Sequence, residues 1–201
     1  MTTTWRTTLK WQTKFRALLA CSSVLLTTAC VPSLYPLYTD EDLTVDPAVV
    51  GTWIDDDDAT WTLERSSGSS YGLTIVEDGV SADFSAHLVQ LGDHRFLDIY
   101  PEDDALPDHE FFLFHVVPAH TFWKLSLDDE TLRLVGLDMD WLEDELESGA
   151  VSVTHSLWGD DNDTILLTAK TRELQAFVVE YAENAEAFPE KGDTVVELRR
   201  Q

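Results

Sequence analysis

Seven strand-like runs follow one another without an intervening helix and limit the middle of this chain to an antiparallel sheet. Each run is rich in apolar and β-branched residues, and short segments of Gly, Ser, Asp or Pro separate it from the next. Three separators are short enough to join neighbouring strands as hairpins. Because an open sheet leaves two strand edges unpaired, a meander of this length is expected to close or to curve strongly. The runs are residues 59–65, 71–76, 80–91, 95–100, 111–117, 120–127 and 131–137.

Apolar and polar residues alternate in two of these runs, which is typical of a sheet with one buried face. Trp61 and Leu63 alternate with polar residues in the first run, and Phe84 belongs to an alternating series in the third. The run 111–114 is apolar throughout, so that strand needs cover on its outer side as well.

Two helices and two more strands are predicted after the meander. Asp138 is expected to cap a helix over 138–147, and Thr171 a second helix over 172–185. A buried strand is predicted at 165–169 and a closing strand at 194–198. The predicted fold is mainly β with two covering helices, an antiparallel meander that forms a barrel or a strongly curved sheet.

The segment Gly51-Thr52-Trp53 opens the meander directly after a predicted helical turn over 46–50. A Gly-x-Trp segment in this place resembles the opening of the lipocalin-like barrels. The resemblance implies that Trp53 plugs the closed end of a barrel and that an arginine near the last strand covers its ring. We assign this position to Arg199, with Arg200 as the alternative. A tryptophan that only fills the core remains an open interpretation.

The same resemblance implies a barrel that takes up an apolar or amphipathic small ligand. The alternative is a non-catalytic envelope protein with a filled barrel that contacts another protein, since the Thr-Asp-x-x-Tyr segment of the lipocalins is lacking. The volume of the barrel interior separates the two hypotheses. The chain is also similar to uncharacterised bacterial lipoproteins that open with segments like those at 34–38 and 51–53. The candidate ligand-binding residues are Trp61, Phe84, Phe96, Phe111 and Phe122.

The first 29 residues have the composition of an export signal. Basic residues and no acids occur in 1–16, and the stretch 17–29 is uncharged and mostly apolar. The segment ending in Ala29-Cys30 resembles a bacterial lipobox, which implies that Cys30 is acylated and becomes N-terminal. Several acyl chains on one residue give stable anchoring in a membrane. Val31 carries no retention signal by the same analogy, which favours the periplasmic side of an outer membrane.

These features divide the chain into a signal peptide (1–29), a lipidated cysteine with a tether (30–45) and a single β-rich domain (46–201). The chain has 13 Lys and Arg against 38 Asp and Glu, a net charge of −25, which argues against nucleic acid as a partner. The predicted partners are the membrane, through the anchor, and either an apolar small molecule or another envelope protein.

The sequence contains no catalytic motif and no cofactor motif. We therefore predict that the protein is not an enzyme and has no cofactor. His115 and His120 flank a turn and are candidate zinc ligands together with His109. The sequence contains no His-Glu-x-x-His motif. The acidic runs 55–58 and 159–163 are interpreted as solvated turns because Asp and Asn favour turns. We therefore assign no metal site.

Overall fold

A computed structural model describes residues 31–102, 116–158 and 164–201. Eight antiparallel strands form a closed barrel, in which each strand pairs with the next along the chain and the last pairs with the first. This confirms the predicted mainly β fold and the antiparallel meander. Of the predicted strand 111–117, residues 116 and 117 are not in a strand, and residues 111–115 lie outside the described residues. The barrel strands are β2 (Gly51–Ile54), β3 (Thr60–Arg65), β4 (Ser70–Glu77), β5 (Val80–Leu91), β6 (His94–Pro101), β7 (Thr121–Leu127), β8 (Thr131–Gly136) and β11 (Val195–Arg200), and a short strand β1 (Leu43–Thr44) pairs with β5 outside this circle.

The hairpin between β4 and β5 illustrates how local sequence determines the strand pairing. Asp78 and Gly79 both have positive φ angles, 51° and 78°, as a two-residue type I′ turn requires. Glu77 and Val80 are consequently direct cross-strand partners, and the register continues without interruption to Ser70.

The inward side of the barrel wall forms one of two hydrophobic cores. Leucine side chains fill the part of the barrel that lies towards the β5–β6 and β7–β8 turns, and none of them is more than 1% exposed. Branched apolar side chains of this kind pack at the density of protein interiors and leave no room for a ligand among them. They are Leu63, Leu73, Leu88, Leu97, Leu132, Leu134 and Leu198.

The second hydrophobic core lies outside the barrel wall, beneath helix α1 (Met139–Ser148), helix α2 (Thr171–Tyr181) and a hairpin of β9 (His155–Trp158) and β10 (Thr164–Leu167). The Asp138 side chain accepts a hydrogen bond from the Trp141 amide and caps α1, as predicted. The expected cap of α2 was wrong: Lys170 is the cap residue and makes no side-chain bond, and Thr171 is the first helical residue. Helix α2 ends at Tyr181, before residue 185. The chain then turns at Asn184, whose side chain accepts hydrogen bonds from the amides of Glu186 and Ala187.

The segment 31–45 is packed against the barrel, and its prediction as a tether was wrong. Val31 and Leu37 are buried, and Ser33 exchanges two 2.8 Å backbone hydrogen bonds with His120. The Leu37 amide donates to the buried carboxylate of Asp98 at 2.8 Å. This segment is held by hydrogen bonds to residues that are distant in the sequence. No repeating pattern of apolar residues in the sequence therefore indicates that it is packed.

Candidate functional site

Trp53 closes one end of the barrel together with the 3-10 helix Pro47–Val49. Its ring is completely buried, and its indole N–H donates to the Val49 carbonyl at 2.9 Å. The guanidinium carbon of Arg200 lies 4.1 Å from the centre of the ring, which is cation–π geometry. Arg200 also donates to the carbonyl oxygens of Ala48 (2.6 Å) and Val50 (3.1 Å). Arg200 therefore contacts both the ring of Trp53 and the segment that crosses the barrel end.

The assignment of Arg199 to this position was wrong, and the structure gives it to the alternative, Arg200. In the β11–β2 register Arg200 lies opposite Trp53, and successive residues of a strand point to opposite faces. Arg199 therefore points outward, is 65% exposed and forms a 2.8 Å ion pair with Asp56. Because Arg199 and Arg200 are adjacent, the sequence offers one arginine to each face of the strand. Only the strand register shows which of the two lies over Trp53.

Gly51 allows the arginine to reach the tryptophan ring. Its φ angle is 144°, a conformation that side chains with a Cβ rarely adopt, and an added Cβ would lie 2.9 Å from Nη1 of Arg200. The glycine and the tryptophan of the Gly-x-Trp segment thus have a common structural role. The Arg200 guanidinium passes over the backbone of Gly51, which has no side chain, and covers the ring of Trp53.

A cavity of about 430 Å³ lies towards the opposite end of the barrel, beside the β2–β3 loop and the β4–β5 hairpin. Trp61 and Phe84, two of the predicted ligand-binding residues, line it, and Trp123 joins them. Two of the three are placed by pairing with β4. Trp61 of β3 lies opposite Ile75, and Phe84 of β5 lies opposite Leu73. The other apolar lining residues are Ile75, Val80, Ala82, Val195 and Val196.

The other predicted lining residues do not join this cavity. Phe96 and Phe122 belong to the core outside the barrel wall, where Phe96 meets the ring of Phe188 edge-on at 6.2 Å. Phe111 lies outside the described residues. Adjacent aromatic residues explain the error with Phe122, since Phe122 and Trp123 supply one large side chain to each face and alternation alone does not say which face is inside.

Carboxylates dominate the polar part of the cavity. No lysine, arginine or histidine is among the lining residues of the described chain. Two of the acids have basic partners: Asp56 pairs with Arg199, and Glu197 lies 3.5 Å from Arg133. The acidic lining residues are Asp55, Asp56, Asp57, Glu77, Asp193 and Glu197.

Two buried indole groups of the cavity wall have unused hydrogen-bonding capacity. Nε1 of Trp61 and Nε1 of Trp123 have no acceptor among the described residues. Trp123 is only 8% exposed. A buried donor without a partner is unusual in a folded protein, and neither nitrogen has appreciable accessible surface.

A second polar cluster lies on the outer wall, where the N-terminal segment crosses β5, β6 and β7. The fully buried Asp98 accepts from Nδ1 of His120 at 2.7 Å as well as from Leu37. His87 stacks on Tyr38 at 4.4 Å, and burial lowers the pKa of His87, with the charge of Asp98 acting in the opposite direction. Burial raises the pKa of Tyr38, and the charge of Asp98 adds to this effect.

This cluster binds the N-terminal segment to the barrel. Both carboxylate oxygens of Asp98 have partners within the chain, and the ring of His120 lies 4.4 Å from that of Tyr100. The proposed zinc partners His109 and His115 lie outside the described residues. Within the described ranges, no three His, Cys, Asp or Glu side chains are arranged to hold a metal ion.

Over residues 31–102, 116–158 and 164–201, none of the helices combines the length and the apolar character that crossing a membrane would require. Cys30, the predicted lipidation site, lies outside the described residues. Comparison of the chain with protein-family models, with curated proteins and with solved structures finds no match.

Proposed function

We propose that this protein is a lipid-anchored protein of the cell envelope that binds an apolar or amphipathic small molecule in its barrel. The observation that supports this function is the cavity of about 430 Å³ in a barrel that is otherwise filled with leucine. Its volume falls within the range of about 300–1,000 Å³ that is typical of small-molecule sites. A completely filled interior would instead have supported the alternative, a protein that acts only through contacts of its outer surface.

The composition of the wall agrees with an amphipathic ligand. Trp61, Phe84 and Trp123 supply large apolar surfaces, while acidic side chains such as Asp57 and Glu77 supply polar groups. Sites that bind small molecules commonly combine an apolar wall with a few polar groups that orient the ligand. The envelope location is proposed from the export signal and the lipobox-like segment that ends at Cys30.

Binding of the neutral fluorescent dye N-phenyl-1-naphthylamine tests the ligand-binding function, because its emission rises in an apolar site. We expect saturable binding of one dye per chain. Ala82 lies in the cavity wall, and the variant Ala82→Trp places an indole in the space that the dye would occupy. We expect this variant to bind at least about tenfold more weakly.

The matched control is Ser81→Trp, which adds the same indole to the neighbouring, exposed residue on the opposite face of β5. It should bind the dye like the unchanged protein. Thermal unfolding of both variants verifies that the barrel remains folded. If the unchanged protein shows no saturable binding, or if both variants bind equally well, the proposed function is wrong.

A further inference from the structure

The cavity carries charge of one sign. Asp57, Glu77 and Asp193 line it, and their carboxylates have no hydrogen-bond or ion-pair partner in the described part of the chain. The two nearby arginines are already engaged, one with Asp56 and the other with Glu197. An ionic group that enters this cavity therefore meets negative potential, and no Lys, Arg or His among the described lining residues neutralises it.

Glu77 connects this charge to the apolar wall. It follows Leu73 and Ile75 at every second position of β4, and alternation therefore places all three on the inward face of the barrel. Its cross-strand partner Val80 is 72% exposed and lines the same cavity. A column of inward apolar side chains thus ends in one exposed apolar residue and one unpaired carboxylate.

The aromatic residues of the wall favour the same sign of charge in a ligand. The faces of indole and phenyl rings attract cations, most strongly when water is excluded, and aromatic sites recognise quaternary ammonium groups in this way. Trp61, Phe84 and Trp123 bring three such rings to one cavity.

We infer that the ligand is a cationic amphiphile, an apolar chain or ring system that carries an ammonium group, with its apolar part against the aromatic wall and its charge beside Asp57 and Glu77. This inference rests on the proposed function, since it specifies the chemical class that the same cavity takes up. Anionic amphiphiles such as fatty acids are disfavoured, because their carboxylate would approach unpaired carboxylates of the protein.

Two surfactants with the same tail and opposite charge provide the test, each used below its micelle concentration. Decyltrimethylammonium and decyl sulfate compete with bound N-phenyl-1-naphthylamine on the full chain. In about 20 mM salt we expect decyltrimethylammonium to displace the dye at a concentration at least about tenfold lower. This preference should shrink in about 300 mM salt, where charges are screened within several Å.

The double variant Asp57→Asn, Glu77→Gln removes two carboxylates of the cavity without changing side-chain size. For each carboxylate removed, we expect decyltrimethylammonium to bind roughly threefold more weakly and decyl sulfate roughly threefold more tightly, the effect of a charge at about 7 Å in water. The matched control is Glu64→Gln, Asp129→Asn, which makes the same change in net charge at exposed residues that do not line the cavity. It should retain the preference.

The outcomes separate this inference from the function on which it rests. If the dye does not bind, the proposed function itself has failed. If the dye binds and both surfactants displace it equally, or decyl sulfate does so better, the cavity binds ligands but the inferred charge is wrong. If the control variant loses as much preference as the cavity variant, the preference reflects only the net charge of −25, and the inference is also overturned.

Discussion

Replacement of Arg200 by alanine should destabilise the barrel although this residue is the last but one of the chain and its side chain is exposed. The guanidinium covers the ring of Trp53 and donates to the carbonyls of Ala48 and Val50, so it joins the last strand to the segment that closes the barrel end. In Arg200→Ala all three contacts are lost at once, and the two carbonyls return to water.

The size of the effect follows from these contacts. A cation–π contact at an exposed site contributes about 0.5–1 kcal/mol, and each hydrogen bond about 0.5–1.5 kcal/mol. With each contribution taken near the middle of its range, we expect Arg200→Ala to lower the free energy of unfolding by about 2–3 kcal/mol. For a chain of this length such a loss lowers Tm by roughly 4–12 °C. Trp53→Ala, which also leaves a cavity in the core, should cost more, about 3–5 kcal/mol.

Arg199→Ala is the matched control, since it removes the same side chain from the neighbouring residue. The ion pair of Arg199 with Asp56 joins exposed groups and is expected to contribute less than about 1 kcal/mol. Urea unfolding followed by far-UV circular dichroism measures both variants, and an unchanged slope with denaturant shows that the same surface is exposed on unfolding. A loss for Arg200→Ala no greater than that for Arg199→Ala would refute the reasoning.

Three further changes have definite expected outcomes. Gly51→Ala should lower the free energy of unfolding by about 1–3 kcal/mol in urea titrations, because φ is 144° and the new Cβ would meet Arg200; an unchanged midpoint would contradict this. Burial holds the pKa of His87 below the ordinary value of about 6.5, so the unfolded chain takes up the proton first and stability should fall as pH drops below about 6.5. His87→Gln should flatten this decline between pH 7 and pH 5 in the same titration, and a slope equal to that of the unchanged protein would exclude His87 as its source. Cys30→Ser should release the protein from the membrane fraction or leave the precursor uncleaved, and membrane fractionation like that of the unchanged protein would contradict acylation at Cys30.

Local patterns in the sequence were sufficient for most of the barrel. Turn residues such as Asp78 and Gly79 placed the hairpins, and the run 80–91 coincides with strand β5. The cap at Asp138 likewise placed the first helix within one residue. These features depend on neighbours in the chain, because a turn needs particular φ angles and a helix begins where a side chain accepts its first amides.

The candidate site was only partly predictable. Alternation indicated that Trp61 and Phe84 lie on buried faces, but it did not distinguish Phe122 from Trp123, since the structure buries both faces of that strand. The charge of the cavity gave no signal in the sequence, because its acids come from loops and strand ends that are distant along an already acidic chain.

The sequence by itself determined the mainly β class, most of the barrel strands, the two helices to within a few residues and the presence of a Gly-x-Trp opening, but it did not predict strand β9. Only the tertiary structure decided which residues of each strand face the interior, and therefore that Arg200, and not Arg199, covers Trp53. It also decided that the segment 31–45 packs on the barrel, through Asp98 and His120. The physical reason is the same in both cases: periodicity along a chain reports how often side chains change face, whereas the face that becomes buried depends on strand register and on partners remote in sequence.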